Sequence, residues 1–438
     1  MTSAAMTSAA MTSPAEKSAV TKVTIDSTTD FPQKTAVSTR ESLSTIEPAA
    51  DTPTPTQPDL DLIPCGVVLP IVNNAGEQPT SKLGQSKVDL DSVPLPAQPA
   101  LRRILQDPES VGLVAFEIGN ESQGIYFNAD TPMPLASLTK IINLVAYAEA
   151  AGRGDIDPSE WIPVSELERT YLPGSDLGAH RASLRELEEK GLISTGDPAV
   201  PMEQIPWIMM RHSSNAASDF LHMLIGQEQI ENTILDLGLT THSAPCPFVG
   251  QFLAISNNAR SGNDQLTVSG YMNDPEIYSQ EVMQLTDRFM NDPEFRRAEG
   301  TWRAPVSLQR TFAGNLNAKA SAQDYANLMS KIIQNEIGSD YVNILVRRAI
   351  EWPMIYPVNQ QIFTSIGYKN GSFPGVLNIA YYGQRIEDGA QVVVILMFRD
   401  LPMQMYRQWR NNLTHDELAR WLLSNPTAID TTKAWIEG

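Results

Sequence analysis

Ser137-Leu138-Thr139-Lys140-Ile141-Ile142-Asn143-Leu144-Val145-Ala146-Tyr147-Ala148-Glu149-Ala150-Ala151-Gly152 decides how this chain is read. Ile141, Leu144, Val145 and Ala148 recur at the spacing of one helical face, which predicts a helix over 138–151 with Gly152 as its C-cap. Ser137 and Lys140 stand three apart at its start, so their side chains share a face. A serine hydroxyl is a poor nucleophile until a base takes its proton. A buried lysine can be neutral enough to take it. A helix N-terminus also favours developing negative charge.

Outward from this helix, Pro99 precedes a helical stretch beginning Ala100-Leu101-Arg102. Strands are predicted at 111–118 and 124–128, joined by a turn at Gly119-Asn120. The middle of the chain reads as helical, and the charge-laced run 181–190 reads as a solvated face. Strand patterns return at 361–368, 376–382 and 391–398, the last two separated by Asp388-Gly389. A last helix opens with Thr414 and Glu417 at capping-box spacing. Strands at both ends and helices between them imply an α+β fold. It would be one antiparallel sheet flanked by terminal helices, beside an all-helical subdomain.

Two further short motifs follow the first. Ser213-Ser214-Asn215 is flanked by Ile208-Met209-Met210 and Ala216-Ala217, and as local structure it suits a helix N-cap. Lys369-Asn370-Gly371-Ser372 ends a strand, and by itself Asn-Gly suits a turn. The chain has no G-x-S-x-G elbow, H-E-x-x-H, P-loop or G-x-G-x-x-G. Its five histidines, 180, 212, 222, 242 and 415, show no close metal-ligand spacing, and no cofactor is implied.

Taken together, S-L-T-K, S-S-N and K-N-G resemble the S-x-x-K, S-D-N and K-T-G signatures of the active-site serine penicillin-recognising family. That family comprises serine β-lactamases, chiefly class A, and penicillin-binding proteins. The order matches, at separations of 76 and 156 residues, and the resemblance covers roughly residues 99–425. It implies a β-lactamase-like fold and a serine hydrolase that opens an amide, lactam or ester through an acyl-enzyme. Ser137 would be the acylated nucleophile and Lys140 its general base. Ser213 would relay the proton to the leaving group, and Asn215 would hold the substrate amide. Lys369 would attract a substrate carboxylate, with Asn370 beside it. The N–H groups of Ser137 and Ser372 would form the oxyanion hole, one donor of which is worth roughly 3 kcal/mol. Gly371 would leave room for substrate along the strand edge.

The chain departs from the family pattern in three places. Ser214 and Asn370 replace Asp and Thr, groups that mainly organise hydrogen bonds. Class A enzymes also carry a glutamate, on a loop between the second and third motifs, that activates water for deacylation. Here that loop should follow Leu239-Thr240-Thr241, and no carboxylate occurs from Ser243 until Asp264. Gln251 could orient a water but not deprotonate it. Penicillin should therefore acylate Ser137 and leave slowly. Alternatives within the fold are a D,D-peptidase or an intracellular esterase. Outside enzymology, the alternative is an idle member that binds a ligand or partner in the cleft. Retention of both Ser137 and Lys140 argues against an idle site.

Residues 1–100 hold 12 of the 31 prolines and one aromatic, Phe31, and open with three near-copies of a pentapeptide. Such a stretch buries too little to offset chain entropy, and residues 1–98 read as a disordered Thr/Ser/Ala/Pro-rich tail before a domain at 99–438. Residues 257–315 read as a helical insertion, taken as an enlarged subdomain in preference to a lid. A net charge of −19 disfavours nucleic acid and anionic lipid as partners, and the resemblance implies a small-molecule substrate. No apolar run approaches a membrane span, and the oligomeric state is left open. Cys65 and Cys246 are too few for a disulfide framework or a Cys-rich zinc site. Without a basic region followed by an apolar one near the start, the expected compartment is the cytoplasm, or an extracytoplasmic one if the true start lies elsewhere.

Overall fold

The strand Gln391–Phe398 is buried at every position but its first, because both faces of its sheet are covered. The computed structural model describes Cys65, residues 90–256 and residues 264–437. All of these fall within the unit Leu60–Gly438. In chain order the sheet contains β1 (Val111–Glu117), β2 (Ile125–Phe127), β3 (Phe363–Phe373), β4 (Val376–Arg385) and β5 (Gln391–Phe398). They lie side by side as β2-β1-β5-β4-β3, every pairing antiparallel. N-terminal and C-terminal strands therefore build one sheet, as the sequence predicts.

Side chains alternate across these strands. Val393, Ile395 and Met397 join Val114 and Phe116 against α2 (Lys140–Arg153) and the helix Ala322–Ile333. Val392, Val394, Leu396 and Phe398 face the other way, toward α1 (Gln98–Gln106) and the C-terminal helices Thr414–Ser424 and Ala428–Glu437. A third apolar cluster joins Phe248–Ile255 to the helix Pro275–Asn291. There Gly250 is required, because a Cβ would come within 2.2 Å of the Val282 carbonyl.

Several local expectations are corrected. α2 runs past Gly152 to Arg153, and Gly154, at φ +84°, is the cap. Gly152 serves packing instead, since its Cβ would meet Val342 at 2.7 Å. No capping box forms at Thr414, where Leu413 in the left-handed region precedes the helix. Asn370-Gly371 is not a turn: β3 continues through it to Phe373, and Pro374-Gly375 makes the hairpin. Of the expected tail, Cys65, Val93 and Ala97 are buried, and residues 1–64 and 66–89 lie outside the described residues. Of the expected insertion, residues 264–315 form four helices, and 257–263 lie outside the described residues. Among the described residues no helix is long and apolar enough to cross a membrane.

Candidate active site

Ser137 lies in a 3-10 turn, Ala136–Thr139, that feeds α2. Ala136, immediately before it, has φ +48° and donates its N–H to Asn317 Oδ1 at 2.8 Å. Asn378 of β4 donates to the carbonyls of Pro134 and Leu135 at 2.7 and 3.1 Å. Asn378 fixes the turn to the sheet, and Asn317 fixes it to the segment before Lys319. Gly371 is needed here for a reason other than substrate access. A Cβ at 371 would come within 2.3 Å of the Leu135 carbonyl and 3.3 Å of the Ser137 and Leu138 nitrogens. The β3 backbone therefore lies directly against the serine turn.

Ser213 has φ +62°, and Ser214 caps the helix Asn215–Ile225 by accepting from the Ala217 N–H. The N-cap reading of the second motif thus holds for Ser214. Ser214 also pairs with His180 Nδ1 at 3.2 Å, while His180 Nε2 faces Glu168 at 3.5 Å.

The three motifs meet at two buried amines. Lys140 Nζ lies 3.1 Å from Ser137 Oγ, 3.2 Å from Ser213 Oγ, 2.7 Å from the Ser213 carbonyl and 2.6 Å from Asn215 Oδ1. Lys369 Nζ reaches Ser213 Oγ at 2.9 Å, the Asn370 carbonyl at 2.9 Å and Asn370 Oδ1 at 3.4 Å. Both amines are fully buried, whereas Ser137, Ser213 and Ser372 are half-buried and reachable. Ser372 Oγ pairs with Tyr406 at 3.0 Å.

The donor count at Lys140 is informative. The Ser213 carbonyl and Asn215 Oδ1 can only accept, so they occupy two N–H groups. A neutral amine then keeps its lone pair for the Ser137 hydroxyl. Burial pushes Lys140 down to about 7, against the opposing pull of Asp176 and Asp219. Burial, and then the charge of Lys140, holds Lys369 well below the usual lysine range.

Asn215 gives its oxygen to Lys140 and one N–H to the Ser175 carbonyl at 3.3 Å.

The loop between the second and third motifs presents Phe248 to Lys140, the ring centroid 4.6 Å from Nζ. Buried Asp219 holds that loop, accepting from the Phe248 and Val249 N–H groups at 2.7 Å each. Burial raises Asp219 to about 7, opposed first by these two bonds and then by Lys140. Gln251 points into the loop, donating to the Cys246 carbonyl at 2.7 Å, and does not address the site. Cys246 forms a disulfide with Cys65, 181 residues earlier. Of the insertion, Phe312 contacts Phe373 at the end of β3, which also stacks on Phe252. Sequence reasoning missed Phe248, Asp219, Asn317, Asn378 and His180. Only Asp219, a carboxylate on an apolar helical stretch, left any signal. Among the described residues no group of His, Cys, Asp or Glu could hold a metal ion.

A serine hydroxyl against a buried amine, with a second serine between that amine and another, defines a site of the serine-hydrolase class. The chain belongs to the beta-lactamase enzyme family, whose model matches residues 96–350. No curated protein matches the sequence. Among solved structures it is similar to a β-lactamase from Sphaerobacter thermophilus, at 16% identity over 76% of this chain and 97% of that one, with TM-score 0.46. It is similar to a β-lactamase from Chitinophaga pinensis at 13% identity, covering 74% and 98%, with TM-score 0.44. It is also similar to PBP-A at 15% identity, covering 73% and 95%, with TM-score 0.42.

Proposed function

We propose that this protein is an acylating serine hydrolase that opens a lactam or amide at Ser137 and releases the acyl group slowly, closer to a penicillin-binding D,D-peptidase than to a fast β-lactamase. The observation that carries the proposal is the Ser137 Oγ to Lys140 Nζ contact of 3.1 Å at an amine with two carbonyl-type acceptors already satisfied. Lys140 takes the hydroxyl proton as Ser137 attacks the carbonyl carbon. Ser213, within reach of both amines, passes a proton to the leaving nitrogen, and the acyl–oxygen ester remains on Ser137. Lys369, in its protonated form, draws a substrate carboxylate. Deacylation is slow because Phe248, which has no proton acceptor, is the side chain the loop turns toward Lys140. The Cys65–Cys246 disulfide supports an oxidising, extracytoplasmic compartment over the cytoplasm.

The test is covalent labelling by a fluorescent penicillin, read by intact mass. One adduct per chain is expected, absent in Ser137→Ala and formed much more slowly in Lys140→Ala. An adduct retained by Ser137→Ala would refute the assignment of the nucleophile. Rapid turnover of a chromogenic cephalosporin would refute slow release.

A further inference from the structure

A cavity of about 80 Å³ opens behind the hairpin that ends β3, lined in part by Arg310, Lys319, Arg399, Asp400, Pro134 and Gly375. That is several times the room one water needs. Acidic residues outnumber basic ones 51 to 32 in this chain, yet three cations converge here. All three are half-buried, and among the described residues none makes an ion pair. Asp400, the one carboxylate in the lining, is exposed.

The protein holds the two guanidinium groups through carbonyls, not carboxylates. Arg310 Nη1 donates to the Leu401 carbonyl at 3.2 Å. Arg399 donates through Nε and Nη2 to the Glu109 carbonyl at 3.2 and 3.0 Å. These contacts fix the guanidiniums without neutralising them. Arg310 Nη2, Arg399 Nη1 and the Lys319 ammonium keep donors unassigned. Lys319 itself is fixed by its backbone, which pairs with Pro134 on one side and Ser243 on the other. Burial and then the charge of Arg399 push its ammonium below the usual lysine range, against the opposing pull of exposed Asp400.

We propose that this cavity is a binding site for a compact tetrahedral oxyanion of the phosphate or sulfate class, held by Arg310, Lys319 and Arg399. Guanidinium forks match such an anion geometrically, and the ammonium adds a point charge. The site is separate from the serine site but adjoins its frame. Pro134 precedes Ser137 by three residues and Gly375 follows Ser372 by three, so each is within about 11 Å of its counterpart.

The experiment is thermal unfolding of the full chain against inorganic phosphate and sulfate, with chloride at matched ionic strength. A saturable rise in Tm with phosphate or sulfate, absent with chloride, is expected. Lys319→Gln is the cleanest variant, because its ammonium holds nothing in the protein. It should weaken the midpoint roughly tenfold, the worth of one charge-assisted hydrogen bond. Asp400→Asn should shift the midpoint the opposite way. A phosphate monoester run alongside separates two sources: equal midpoints assign the end group of a larger molecule, and binding of the inorganic ion alone assigns a free anion. No saturable shift beyond chloride, or an unchanged midpoint in Lys319→Gln, overturns the proposal. Penicillin labelling of the variants confirms their folding independently.

Discussion

The phenyl ring of Phe248 sits 4.6 Å from the Lys140 amine, on a loop whose backbone is gripped by Asp219. A family glutamate on the corresponding loop would put a proton acceptor near the acyl ester; here there is hydrocarbon. Phe248→Glu should therefore speed loss of a penicillin label by about a hundredfold, the low end for a positioned general base. Pulse-chase labelling measures this directly. If the wild-type and variant labels decay equally, the ring is not what limits release.

Acylation should depend on pH through Lys140. Its amine is held near 7, and only the neutral form accepts the Ser137 proton. The labelling rate should thus fall roughly tenfold per unit below about pH 7 and level off above it. Asp219→Asn removes one of the two negative charges that hold that value up, so the midpoint should move toward lower pH. A midpoint moving upward would contradict this account of the base.

Gly371→Ala drives a Cβ to 2.3 Å from the Leu135 carbonyl, and main chain cannot yield as a side-chain tip does. The variant should lose labelling and about 1–3 kcal/mol of stability. Chemical unfolding together with penicillin labelling reads both. Full labelling with unaltered stability would show that strand and turn are not in contact.

Reducing the Cys65–Cys246 disulfide opens a crosslink spanning 181 residues of sequence. Cross-links of this kind contribute about 2–5 kcal/mol, so Cys246→Ser should lower Tm. It should also loosen the Phe248 loop, which hydrogen exchange at Phe248 and Val249 would detect. Equal Tm with and without reductant would show that the crosslink holds nothing that unfolding releases.

The sheet was legible because its strands carry local signals: apolar runs bounded by Gly119-Asn120 and Asp388-Gly389. The Ser137 and Lys140 pair was legible for the same reason, being one helical turn apart. Ser213 and Lys369 needed the motif resemblance, since nothing near them in sequence says they meet. Residues whose meaning depends on distant partners were illegible. Phe248 reads as an ordinary apolar residue until the base is found beside it. The glycines show the limit most clearly. Gly152 and Gly371 suit a cap and a substrate path as sequence, yet Val342 and the Leu135 carbonyl dictate them. Helix ends failed similarly, because Gly154 and Leu413 cap through backbone conformations that side-chain spacing does not report.

Ala136 and Ser213 both carry left-handed backbones; the first precedes the proposed nucleophile and the second is the proposed proton relay. Each such residue costs of order 1–3 kcal/mol that the surrounding packing must absorb. Any campaign to toughen this protein would find easy gains at exactly those two addresses. Each gain there would relax the geometry that aims a hydroxyl, trading durability for a blunted catalyst.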